Sequence, residues 1–330
     1  MARRWIRLAL ALVAGLCGMI AWGTPTLAAA PHLPRYKHVF YIVEENHSFT
    51  DIIGNAAAPN LTSLARTYGL ATDYYGTSHP SEPNYVAMIG GSDFGIKDDG
   101  PYTTNVVAQP SLADQLEGAG LSWKSYSQSM PSAGFTGTCY PCNASDPSTL
   151  YASKHNPFLN FAGVQHDSAE LQKLVPIDQF GADLAHRTVP TLSFIVPDQC
   201  HDMHGTNDCP DTSTNIKVAD DYAGQLVSSI MASPAWKDGQ NAIVITWDEG
   251  NDNGGCCRAN PGGGRIPTIV ITTHGPRGLT YDVPSNHYSM LLTLQQMFGL
   301  GCLQNTCDTA DVTPVTPLFS VDGYGSTSSG

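Results

Sequence analysis

Positive charge is scarce in this chain: 330 residues carry 16 Lys and Arg against 29 Asp and Glu, a formal net charge of −13. No basic cluster interrupts the acidic excess, which excludes nucleic acid and anionic membrane surfaces as general partners. It does not exclude a phosphate ester, because a bound divalent cation inverts the local field. Long apolar runs are also missing beyond the first thirty residues. None approaches the ~20 residues needed to cross a bilayer, so no integral membrane segment is expected. No internal repeat divides the sequence.

The early apolar stretch reads as an export signal. Arg3, Arg4 and Arg7 flank or precede LALALVAGLCGMIAW, and Ala28-Ala29-Ala30 closes it. Residues 1–30 are therefore read as a signal peptide, and the product as secreted or periplasmic. Arg3-Arg4 faintly resembles a twin-arginine signal, although ordinary secretion is the expected route. Leu16, not a small residue, precedes Cys17, so no lipid anchor is expected. Without its leader the chain loses three arginines and no acid, moving the formal charge to −16. Residues 31–330 are long enough for a single domain with a large core and loop insertions.

The mature chain keeps eight cysteines, and an even number in an exported protein reads as disulfides. They lie in four close pairs, expected to bond locally: Cys139 with Cys142, Cys200 with Cys209, Cys256 with Cys257, and Cys302 with Cys307. The adjacent pair could equally take separate partners. Cys139-Tyr-Pro-Cys142 lacks a second CxxC at zinc spacing and reads as a staple.

Short β-rich runs at 37–43, 121–126, 191–196, 241–246 and 266–272 alternate with helical patterns. This grammar predicts an α/β fold, a mainly parallel central sheet with helices on both faces. NLTSLARTYG reads as a helix with Asn60 at its N-cap, and SLADQLEGAG as one with Ser111 and Asp114 near capping-box spacing. In 217–231, Val218, Tyr222, Leu226 and Ile230 form the expected buried ladder. A last helix follows His287. The loops 128–160 and 249–265 are long and rich in Gly, Pro, Asn and Cys, as candidate substrate-binding insertions. The Ser/Gly/Thr-rich tail from Thr313 reads as loosely ordered.

Chemistry-bearing residues recur at the ends of the apolar runs: Glu45-Asn46, Ser81, Asp198 through His204, Asp248-Glu249 and His287. Ligands collect at the carboxyl ends of parallel strands, so these residues point to one assembled site. Ser81, before Glu82 and Pro83, looks like an N-cap, where helix amides would meet a phosphate. Glu45, Asp248 and Glu249 could hold a divalent cation beside it, lowering the hydroxyl pKa and neutralising the attacked phosphate. Hard oxygens suit Ca, Mg or Mn, whereas added imidazole suits Zn or Fe; one ion or two are both compatible with the residues. Asp248–Gly255 misses the EF-hand spacing.

In order along the chain, VEENHSF, HPSEPNYVAM, KHNPF, FIVPDQCHDMH, TWDEG and NHYSMLLTL resemble the phosphoesterase family of secreted acid phosphatases and bacterial phospholipases C, within the alkaline phosphatase superfamily. The resemblance implies an alkaline phosphatase-like fold. It implies Glu45 as a metal ligand, Asn46 as a metal or phosphate contact, Ser81 as the residue transiently phosphorylated and in contact with the metal, and Asp248 and Glu249 as ligands. Asn84 of HPSEPNY is a further substrate contact. By superfamily analogy the 198–204 cluster and His287 supply a second metal position, Asp202 and His204 being favoured over Asp198 and His201. His155 would protonate the leaving group or hold phosphate. The expected activity is a metal-dependent phosphoric-ester hydrolase with a phosphoserine intermediate, a phosphomonoesterase. The alternatives are a phospholipase C or other phosphodiesterase, and a non-catalytic phosphate- or carbohydrate-binding exoprotein. The oligomeric state is not legible.

Overall fold

The computed structural model describes residues 33–142 and 149–321. The expected signal peptide and the last nine residues of the tail lie outside the described residues. The strands are β1 (His38–Glu44), β2 (Gly69–Tyr75), β3 (Trp123–Ser127), β4 (Cys139–Tyr140), β5 (Tyr151–Ala152), β6 (Leu174–Pro176), β7 (Leu192–Val196), β8 (Asn241–Trp247), β9 (Arg265–Thr272), β10 (Leu279–Tyr281) and β11 (Ser285–Asn286). The helices are α1 (Phe49–Ile52), α2 (Pro59–Thr67), α3 (Ser81–Gly90), α4 (Leu112–Gly118), α5 (Ala162–Gln165), α6 (Ser168–Leu171), α7 (Asp178–His186), α8 (Ser213–Ala232) and α9 (His287–Phe298).

The central sheet runs β10-β2-β9-β8-β1-β7-β3-β6, with β11 also beside β2, while β4 and β5 form a separate hairpin. Only β9 is antiparallel to its neighbours β2 and β8 among the described pairings of this sheet. The expected mainly parallel α/β sheet is therefore observed. Two antiparallel steps through β9 restore the direction of β2 to that of β8, so the carboxyl ends of β1, β2, β3, β7 and β8 share one rim. Every residue of β7 and β8 is buried, which requires cover on both faces. α2 packs with α8, and α3 with α9.

The five anticipated runs appear as β1, β3, β7, β8 and β9. β2 was not anticipated: GLATDYY has no continuous apolar run, and four of its seven residues are half-buried. β6, β10 and β11 have only two or three residues, too few to show a period.

Three local expectations need correction. Ala58 takes the N-cap position of α2, with Pro59 at the first helical position. Asn60 instead binds the Asp220 carboxylate on α8 through its backbone N–H at 3.1 Å and its side-chain amide at 2.9 Å. In α8, Val218 is exposed and Tyr222 half-buried, while Leu226 and Ile230 are buried as expected, in a stripe with Ile216, Ala219, Ala223 and Val227. A strict four-residue ladder drifts by about 40° per step, so it cannot stay on one face. The tail up to residue 321 is packed: Val315, Leu318 and Phe319 are fully buried, and the Tyr36 hydroxyl donates to the Phe319 carbonyl at 2.6 Å. The Ser111–Asp114 capping box is present, as are all four local disulfides.

Candidate active site

Ser81 is delivered by the turn after β2. Gly76 makes that turn possible, because a Cβ there would lie 2.8 Å from the carbonyls of both Asp248 and Gly263. The β2 end is thus laid directly against the β8 end. Asn84 then braces the turn. Its Oδ1 accepts from the N–H groups of Thr77 (2.7 Å) and Ser78 (3.0 Å) and from the Thr77 hydroxyl, and its amide donates to Ser78 and Pro80 carbonyls. With both ends engaged, Asn84 supports the serine and is not placed as a substrate contact.

Pro80, not Ser81, occupies the N-cap, and Ser81 is the first helical residue. Its hydroxyl is therefore not spent on capping: it donates to Glu45 Oε2 at 3.0 Å, both residues buried. The helix offers phosphate fewer amides than expected. The Glu82 N–H donates to Asp99 Oδ1 at 3.0 Å, and Pro83 has none.

The acids around Ser81 share a pattern. Asp248 Oδ1 accepts the Asn46 N–H at 3.0 Å, Asp202 Oδ1 accepts the His204 N–H at 2.8 Å, and Glu45 Oε2 accepts Ser81. The other oxygens, Asp248 Oδ2, Asp202 Oδ2 and Glu45 Oε1, are buried without hydrogen-bond partners among the described residues, and so is Asn46 Oδ1. The backbone carries the anchoring to this rim, with Glu45 N–H donating to the Asp202 carbonyl and Asp248 N–H to the Glu44 carbonyl. Asn46 adopts φ +48°, which turns the chain sharply after β1.

His155, on a 3-10 turn at Ser153–His155, enters this cluster. Its Nε2 lies 3.2 Å from Glu45 Oε1 and its Nδ1 3.6 Å from Asp202 Oδ2, while its ring stacks on Tyr85 at 5.2 Å. His204 stands beside it, with ring centroids 5.8 Å apart and Nδ1 against the Gly205 carbonyl at 2.8 Å. Donor atoms of Glu45, His155 and His204 all lie within 4.8 Å of one another.

Glu249 pairs with the His79 ring at the rim. His287 is buried behind the rim, its Nε2 on the Asp248 carbonyl at 2.6 Å, so it props the end of β8 and stands outside the cluster. Asp198 is spent on its own loop, accepting from Ser129, His201 and the Cys200 N–H.

Burial dominates the electrostatics. It lifts Asp202 and Asp248 well above the usual carboxylate range, each further raised by Glu45. Burial raises Glu45 to about 7 despite the opposing charge of Lys154, and raises Glu249 to about 8 with help from Asp248. Burial drives His155 well below its ordinary value, and the Lys154 charge adds to this; His204 is lowered for the same leading reason. Clustered buried carboxylates with unpaired oxygens, beside neutral imidazoles, have the donor chemistry of a divalent-cation site.

Four participants escaped the sequence reading. Tyr85 is the platform for His155. Glu44 is buried beside Glu45 with neither oxygen partnered among the described residues. Asp99 and Lys154 form an ion pair at 2.8 Å. Lys154 is disfavoured by burial, yet Glu45 and Asp99 more than offset this and raise its pKa. The clue for Lys154 was its place in KHNPF; Asp99 had none.

The Phosphoesterase family model matches residues 55–301. The chain is 32% identical over 292 residues to the phosphatidylinositol-3-phosphatase of Mycobacterium tuberculosis, covering 88% of this chain and 85% of that protein. It is also 32% identical over 259 residues to the phosphate-repressible acid phosphatase of Penicillium chrysogenum, covering 77% of this chain and 58% of the relative. The chain thus spans little more than half of that fungal protein. Among solved structures, the phosphonate monoester hydrolase of Agrobacterium radiobacter superposes with a TM-score of 0.55 at 13% identity, over 88% of this chain and 78% of that one. A protein of the alkaline phosphatase superfamily from Vibrio parahaemolyticus gives a TM-score of 0.54 at 13% identity, over 88% and 71%. These two likenesses concern the fold alone.

Proposed function

This chain belongs to the phosphoesterase family and is a phosphoric-ester hydrolase, and from that premise we propose that it is an exported, metal-dependent phosphomonoesterase working through a phosphorylated Ser81. The observation that carries the reading is the buried Ser81 hydroxyl, 3.0 Å from Glu45 Oε2, at a rim where Glu45, Asp202 and Asp248 each keep one buried oxygen without a hydrogen-bond partner among the described residues. Glu45, Asn46, Asp248 and Glu249 would hold a divalent cation, with Asp202, His204 and His155 on the far side of Glu45. When bound, the cation supplies Lewis-acid stabilisation of negative charge and a lower serine pKa.

The chain's own residues account for the rest. Ser81 Oγ attacks phosphorus, its O–H proton having an acceptor in place at Glu45. An O–P bond forms to the serine as the bond to the departing alcohol breaks, and the proton taken up by Glu45 passes to the alcohol oxygen. Water then cleaves the phosphoserine, releases inorganic phosphate and returns a proton to Oγ. His155, locked by Tyr85 and the acids, orients the phosphate oxygens. Export is supported by the basic-then-apolar leader and by the four disulfides. No helix among the described residues is long and apolar enough to cross a membrane.

Ser81→Ala tests the reading, since a first-turn substitution leaves the helix intact. Turnover of p-nitrophenyl phosphate should vanish, and acid-quenched protein should lose label from a radiolabelled monoester. Near-normal turnover in the folded variant would remove serine from the mechanism. Parallel kinetics on bis-p-nitrophenyl phosphate and a short-chain phosphatidylcholine decide substrate class; a higher kcat/KM for either diester would move the assignment to a phosphodiesterase or phospholipase C.

A further inference from the structure

We propose that Lys154, held in place by Asp99, is the specificity-determining residue that reads the second negative charge of a phosphate monoester. The inference rests on the catalytic reading above and extends it to a residue to which neither the family resemblance nor the comparisons give a role.

Lys154 precedes His155 on the same 3-10 turn, and His155 lies between Glu45 and Asp202, so the lysine backbone is anchored one residue from the imidazole that the catalytic reading assigns to phosphate. Its side chain is 20% exposed, lying at the edge of the buried cluster. Asp99 links it to the nucleophile: one carboxylate oxygen accepts the Lys154 ammonium at 2.8 Å, and the other accepts the N–H of Glu82, the residue after Ser81, at 3.0 Å. Serine helix and lysine are thereby held by a single side chain.

That arrangement answers a deficit in the site. Asp99 consumes the Glu82 amide, and Pro83 has none to give, so the serine helix supplies little positive potential. Around it stand Glu45, Asp202, Asp248 and Glu249, of which a cation neutralises only part. Among the described residues the ammonium donates only to Asp99, and an ammonium has three donors. A monoester dianion presents an extra anionic oxygen to those donors; a diester has esterified it. Lysine supplies this as a point charge that needs no fixed fork.

Lys154→Met, Lys154→Arg and Asp99→Asn are compared with the wild type, each full-length and metal-supplied, with metal content measured. Lys154→Met should lower kcat/KM for p-nitrophenyl phosphate roughly ten- to a hundredfold, the range of one charged hydrogen bond. It should leave bis-p-nitrophenyl phosphate within about threefold. Lys154→Arg should restore most of the monoester preference, and Asp99→Asn should reduce it less than Lys154→Met does. Inorganic phosphate binding by calorimetry gives an arm independent of turnover: Lys154→Met should weaken it by a similar factor. Equal loss on both esters, or unchanged phosphate affinity with metal retained, overturns the role. Were the wild type inactive towards monoesters, the catalytic reading would fall, and the phosphate-binding arm would still decide Lys154.

Discussion

Stripping the divalent cation with a chelator should make the protein less stable as pH rises, with the change concentrated between pH 5 and 8. Glu45 carries the clearest magnitude. Folding moves its pKa from an ordinary 4.5 to about 7, through burial first and the nearby charge of Glu249. Between those values the native state holds a proton that the unfolded chain has released, so stability falls with pH and the loss is complete above the folded pKa. The shift corresponds to roughly 3 kcal/mol, or about 5–10 °C in melting temperature for a domain of this size. Glu249, raised to about 8, extends the decline to higher pH. A cation bound by the ionised carboxylates reverses the preference, so the gap between metal-supplied and chelated melts should widen from pH 5 to 8.

The assay is thermal unfolding at pH 5, 6, 7 and 8 in chelator and in separate additions of Ca, Mg, Mn and Zn. Glu45→Gln is the internal control, because its amide cannot titrate and should flatten the chelated curve below pH 7. A chelated melting temperature that is level or rising from pH 5 to 8, in the wild type and the control alike, would refute the argument. It would mean that the cluster is relieved by something other than protons or a cation.

Asp248→Asn should lose bound metal and turnover together, because it removes an anionic oxygen whose partner-free atom faces the cluster; metal analysis and p-nitrophenyl phosphate rates check this, and full metal content would relegate Asp248 to structure. Phe319→Ala should cost about 3–5 kcal/mol, the usual price of emptying a fully buried aromatic site. Urea unfolding of that variant tests the packed tail directly, and a change below ~1 kcal/mol would return residues 313–321 to a loose segment.

The central strands were legible because a strand covered on both faces is apolar along nearly its whole length, and FYIV, LSFIV and AIVIT carry only Ser193 and Thr246 as polar exceptions. The same periodicity located the rim, since acids and histidines stood where each apolar run stopped. Edge strand β2 was not legible, and with it went the true role of Gly76, which depends on a carbonyl 172 residues away in sequence at Asp248. Ser81 was found but read as a cap, because local spacing cannot reveal that the preceding proline would take that position. Asn84 looked like a polar contact for substrate, whereas the turn it braces exists only in three dimensions. Lys154 and Asp99 are 55 residues apart and meet only through the long 128–160 insertion.

The deeper gap between sequence and site concerns individual atoms. Residue types announced carboxylate chemistry, yet a carboxylate has two oxygens, and only the fold divides their labour. In Asp248 and Asp202 one oxygen is held by a backbone N–H and in Glu45 by the Ser81 hydroxyl, while the second in each is buried without a hydrogen bond among the described residues, those of Glu45 and Asp202 facing the His155 ring. The held oxygen fixes the side-chain torsion, so the bare one needs little reorganisation to meet a cation or a proton. His287 extends the same logic one layer outward by propping the Asp248 carbonyl, and the Asn286 amide ties that layer to the Cys256 and Cys257 carbonyls. A site assembled this way stores unfavourable desolvation in its bare oxygens, and the buried strands on either side of β1 hold it against relaxation. That stored cost gives chelation, acid and Glu45→Gln a common readout in stability, separate from any effect on catalysis.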